Sequence, residues 1–98
     1  MTVMVVGVGT VVLRLHDCNS LKEKRKVVKA AIGRIRSHFN VSAAEVGAND
    51  VLHQARIGVA AVGNDGGVVN AKIDKIFNLV EEMGLAEVID TEMEIIHL

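Results

Sequence analysis

The sequence predicts an α+β domain in which two helices cover one face of a four-stranded antiparallel sheet. Three observations carry this. Leu21 to Phe39 and Val69 to Met83 repeat apolar residues at helical spacing between helix start and stop signals. Four other segments are rich in small and β-branched residues or alternate apolar with charged ones, as strands do. Their order within 98 residues is β-α-β-β-α-β, and with crossovers of this length the economical packing puts both helices on the same side.

Taken in order, Val3 to His16 is a long Val- and Leu-rich strand. In it Gly7 and Gly9, two apart, share one face and leave a flat patch or a bulge. Asp17-Cys18-Asn19 is a turn. Ser20 opens the first helix, and Glu23 three residues on completes a reciprocal capping box. Leu21, Val28, Ile32, Ile35 and Phe39 form its core-facing stripe. Asn40 to Val46 is a short second strand, Gly47-Ala48-Asn49-Asp50 a loop, and Ala55 to Val62 a third strand. Asn64-Asp65-Gly66-Gly67 is a tight turn into the second helix, whose inner face is Val69, Ile73, Ile76, Val80 and Met83; Gly84 ends it as a left-handed cap. Glu87 to Leu98 is the last strand. The result is a ferredoxin-like βαββαβ sandwich over residues 1–98, one domain with strand order 4-1-3-2.

Composition narrows the class. Half the residues are hydrophobic, which excludes intrinsic disorder, yet no apolar run nears the roughly 20 residues of a membrane span. The amino terminus lacks a charged start and a small-residue cleavage site, so a cytoplasmic protein is expected. Cys18 is the single cysteine and has no disulfide partner within the chain.

The net charge of −1 conceals a strong asymmetry. Residues 1–38 carry eight basic residues against two acids, and residues 39–98 carry three against ten. Such a split creates opposite fields on one small body. At about 100° per residue, Arg25, Arg36, Lys29, Lys22, Gly33 and Lys26 fall in one acid-free arc of the first helix. Like charges at this spacing repel, Lys24 opposes the helix dipole, and Gly33 costs roughly 1 kcal/mol against Ala. An anion bound along Lys22, Arg25, Lys26, Lys29 and Arg36 would offset these costs, and Gly33 would let a phosphate approach closely. The only aromatic residues, Phe39 and Phe77, stand at core-like helix positions, so any RNA contact is expected to read backbone and shape and to favour structured RNA.

The first strand is apolar on both faces. Val3, Val5, Val11, Leu13 and Leu15 alternate with Met4, Val6, Val8 and Val12, whereas a half-covered sheet alternates apolar with polar. Met4, Val6, Val8 and Val12 are therefore expected to meet a partner, with a homodimer the simplest arrangement. In the last strand Ile89, Met93 and Ile95 are expected to point inward, with Asp90, Glu92 and Glu94 rimming the open face opposite Arg14 or Arg56.

Nothing in the pattern calls for an enzyme. His16, His38, His53 and His97 are scattered away from metal-ligand spacing, so no metal site and no cofactor are expected. His16-Asp17-Cys18 holds an acid, a base and a thiol, but adjacent residues rarely converge on one point, and Cys18 reads as a loop thiol made somewhat reactive by the helix start. Gly7-Val8-Gly9 lacks the third glycine and the helix of a dinucleotide fingerprint. Asn64-Asp65-Gly66-Gly67 offers backbone N–H groups at a helix start but reads first as a turn.

Ser20-Leu21-Lys22-Glu23-Lys24-Arg25, the string Phe39-Asn40-Val41-Ser42-Ala43-Ala44-Glu45-Val46, Gln54 followed by Gly58-Val59-Ala60, and Asn64-Asp65 together resemble the bacterial YlxP-like family, a domain of unknown function. The resemblance spans nearly the whole chain and implies a ferredoxin-like fold. It departs at Gly47-Ala48-Asn49 and at His53, where relatives tend to have an acidic residue and a Trp. Members are often encoded beside translation-initiation and ribosome-maturation factors, which implies a place near the ribosome or RNA; no catalytic residue carries over. The reading is a non-enzymatic accessory protein that docks its basic helix on ribosomal or other structured RNA. The alternative is a homodimeric interaction or sensor module using the open sheet face.

Overall fold

The computed structural model describes residues 3–98. Six elements follow in the expected order: β1 (Val5–Arg14), α1 (Leu21–His38), β2 (Ser42–Gly47), β3 (Gln54–Gly63), α2 (Gly66–Met83) and β4 (Glu87–His97). The strands form one antiparallel sheet in the order β2-β3-β1-β4, the expected order read from the opposite edge. β1 is shorter than expected. Val3 and Met4 lie exposed before it, while Leu15 stays buried beyond its end and donates its N–H to the His53 carbonyl at 3.0 Å.

The core lies between the inner sheet face and the helices. Val5, Val11, Leu13, Ile57 and Val59 meet Val28, Ala31 and Ile35 of α1 and Val69, Ile73, Ile76 and Val80 of α2. Gly7 and Gly9 point inward and form the flat patch on which α2 rests. A methyl group on Gly9 would stand 2.9 Å from both Ile73 Cγ2 and Phe77 Cζ, closer than such atoms pack. Asp65 caps α2 by accepting from Gly67 N–H at 2.9 Å and Val68 N–H at 3.2 Å, and Gly84 closes it at φ 65°.

One inward assignment is corrected. The β1–β4 register shifts so that Asp90 faces Val12 while Val88 faces Leu13, which leaves Ile89 as the extra residue of a bulge, 36% exposed. Val88 packs against the core in its place, and Met93 and Ile95 point inward as expected.

α1 packs over β2 and β3, and α2 over β1, β3 and β4. The basic helix thus stands toward the β2 edge and the acidic strand forms the opposite edge.

Candidate functional site

The basic arc begins at a well-made helix start. Glu23 N–H donates to Ser20 Oγ at 3.2 Å, and the Glu23 carboxylate accepts from Asn19 N–H at 2.8 Å. The second bond goes one residue upstream of the usual box partner. It draws the one acid of the helix into the cap, away from the neighbouring cations.

The buried face of α1 is Lys24, Val28, Ala31 and Ile35. Its centre lies roughly 140° around the helix from the centre of the basic arc, so most of the arc faces solvent, with Arg25 and Arg36 on the side nearest Ile32 of the apolar stripe. Lys22, Arg25, Lys26 and Lys29 are all exposed. Among the described residues the ion pairs are His16–Glu87 and Lys24–Glu45, so none of these four cations is neutralised by the protein. Gly33 lies within the arc, and a Cβ there would meet nothing within 4 Å.

Arg36 serves differently from the other four. Its Nη2 donates to the Ala43 carbonyl of β2 at 2.6 Å, which covers a free acceptor on the edge strand. One guanidinium nitrogen is committed to the fold, and the group stands at the end of the arc beside the sheet.

The residue that the sequence pattern misplaced is Lys24. It is 1% exposed, and its ammonium donates to the carbonyls of Ala48, Asn49 (3.3 Å) and Val51 (2.8 Å). Glu45 Oε2 lies 3.3 Å away, buried and without a hydrogen bond of its own. An ammonium has three protons, and all three go to carbonyls, so the carboxylate is held by charge alone. Lys24 thereby fixes the loop between β2 and β3, in which Ala48 adopts φ 58°. The signal was present in the spacing: residues 24, 28, 31 and 35 follow the i, i+4, i+7, i+11 series of one helix face.

The other sequence candidates separate. His16 Nε2 lies 2.5 Å from Glu87 Oε2, whereas the Cys18 thiol is buried and donates to the Ser20 carbonyl at 3.5 Å. The loop thiol expected to be made somewhat reactive by the helix start is turned inward. His53 Nε2 lies 2.9 Å from the Cys18 carbonyl and ties this turn to the start of β3. The N–H groups at the start of α2 are taken by Asp65. Among the described residues no three His, Cys, Asp or Glu side chains gather as metal ligands, and no helix is long and apolar enough to cross a membrane.

On the open face of the sheet, Met4 is exposed and Val6 and Val8 are half-buried, but Val12 is 5% exposed, flanked in register by Arg56 and Asp90. Asp90, Glu92 and Glu94 form an exposed row on the β4 margin of this face. Arg14 pairs in register with Glu87, whose carboxylate is already engaged by His16.

Comparison with known proteins finds relatives of unknown function. The chain is 31% identical over 67 residues to the uncharacterized protein YlxP of Bacillus subtilis (strain 168), covering 68% of this chain and 73% of that protein. Two solved structures align at a TM-score of 0.45. One is the structural-genomics protein YJCS (15% identity, 91% of this chain and 96% of that one). The other is the de novo designed protein Foldit4 (11% identity, 96% of each). The model of a protein of unknown function, DUF503, matches residues 6–93, and the chain belongs to that family.

Proposed function

We propose that the protein is a non-enzymatic accessory factor that docks on structured RNA, ribosomal RNA foremost, through the exposed face of α1. The observation that carries this is the arc of Lys22, Arg25, Lys26 and Lys29: four exposed cations on one face, with no protein counter-ion among the described residues. Arg36 extends the arc at its carboxyl end. The stripe runs along a single helix, so it suits a row of backbone phosphates, and Gly33 leaves room for one to reach the helix backbone. Phe39 and Phe77 both pack against the core, so base stacking contributes nothing and recognition rests on charge and shape.

About four phosphate contacts give a slope of log affinity on log salt near −4, a loss of roughly a hundredfold between 50 and 200 mM. The test is co-sedimentation of amino-terminally labelled protein with ribosomal subunits across that salt range. Binding is expected to persist near physiological salt and to vanish in a Lys22, Arg25, Lys29→Glu variant that keeps its circular dichroism spectrum. Binding that ignores salt, or survives the triple reversal, would refute the reading.

A further inference from the structure

The sheet face away from the helices is open, and its two margins differ. Val6 and Val8 of β1 run along its centre, with Val62 of β3 63% exposed and Val46 of β2 56% exposed beside them. Toward β2 the residues turn small, and Ala44, Gly58 and Ala60 floor a hollow of about 630 Å³ whose rim includes Val8, Val46 and Arg36. The opposite margin carries the row Asp90, Glu92 and Glu94 on β4.

We propose that this face is covered by a second copy of the chain, the two sheets packed face to face about a twofold axis running along the strands. Aligned sheets pack about 10 Å apart, and a twofold through the middle of the order β2-β3-β1-β4 sets β4 of each copy over β2 of the other and β1 over β3. Symmetry keeps residues of equal height together. The in-register pairs Val8–Ala60 and Thr10–Gly58 then place each larger β1 side chain over a small β3 residue of the other copy, so the face fills its own hollow. The same operation sets the acids of one margin against the Arg36 rim of the other copy. It also brings Arg56 over Val12, one strand from Asp90.

The alternatives set like against like. A twofold across the strands stacks the acid row on itself, and edge pairing of two β4 strands sets the same acids side by side. Charge complementarity selects the arrangement with the axis along the strands.

Sedimentation equilibrium without RNA, followed by interference optics, tests this independently of the RNA reading. The wild type is expected at about twice its 10.5 kDa mass. Val8→Lys, on the face away from the core, is expected to keep its circular dichroism and weaken association roughly a hundredfold or more, because a long charged side chain, even with Glu94 as its in-register neighbour, replaces the valine packed over Ala60 of the other copy and must be desolvated there. Asp90→Arg and Arg56→Glu each weaken it, and the double reversal restores it. A wild type that stays monomeric up to about 0.5 mM, a dimer untouched by Val8→Lys, or one tightened by Asp90→Arg would overturn the proposal.

Discussion

Replacing Lys24 by Met tests how the β2–β3 loop is held. The change keeps most of the side chain's volume in the α1 stripe and removes only the ammonium. Three carbonyls, of Ala48, Asn49 and Val51, lose their donor, and the buried Glu45 Oε2 loses the cation 3.3 Å away. The two losses differ in kind. The loop is at the surface, where Asn49, Asp50 and Val51 are exposed, so its carbonyls can turn to water and recover much of their solvation. The Glu45 carboxylate is only 19% exposed, and breaking a buried pair by removing one partner costs about 3–5 kcal/mol. With partial relaxation the expected loss is about 3 kcal/mol, a large share of the roughly 5–15 kcal/mol of a typical domain. For a chain of this length that lowers the melting midpoint by roughly 12–20 °C. The assay is thermal and urea unfolding followed by far-ultraviolet circular dichroism, since the chain has no Trp or Tyr. Lys22→Met, exposed on the same helix, should stay within about 0.5 kcal/mol. Adding Glu45→Gln to Lys24→Met should recover about 1 kcal/mol by removing the stranded charge. A loss below about 1 kcal/mol for Lys24→Met, or no recovery in the double variant, would refute the reasoning.

Two further changes probe glycines that play opposite roles. Gly33→Ala should stabilise the protein by about 0.5–1 kcal/mol, read from the same melts, because the position is helical and the added methyl meets nothing. Gly9→Ala should cost about 1–3 kcal/mol, because its methyl would press on Ile73 and Phe77; a neutral result would mean that α2 can slide on the sheet.

Features set by neighbours in sequence were legible, and those set by distant chain were not. The caps at Ser20 and Gly84 depend on a few adjacent residues, and the stripe of α2 on helical period alone, so both follow from the string of letters. The exposure of Lys22, Arg25, Lys26 and Lys29 follows from the same period. Lys24 satisfies the period of the buried face, but a lysine is buried only where partners exist, and its partners arrive from 21 to 27 residues downstream. Arg36 is similar: its bond to Ala43 needs the β2 edge brought alongside α1. Ile89 illustrates a third limit. Strict alternation places it inward, and the single-residue bulge opposite Val12 and Leu13 shifts the phase of the strand, which no two-residue period encodes.

Apart from Arg36, which stands at the β2 edge where they meet, the two proposed surfaces lie on opposite sides of one sheet, and this constrains how they can work together. In the face-to-face dimer both α1 helices point outward, separated by a sheet-on-sheet layer and two helix layers, on the order of 30 Å apart. A short RNA duplex would then meet one helix at a time, and Val8→Lys should leave its affinity unchanged. A ribosomal subunit, whose RNA surface is broad, could engage both only by wrapping around the dimer, so linking two copies adds affinity only where that geometry exists. The dimer is therefore better suited to bridging two RNA segments than to strengthening a grip on one. If Val8→Lys also abolished binding to the short duplex, the phosphate-binding surface would have to combine groups from both copies. The arc of a single α1 would then not be the whole site.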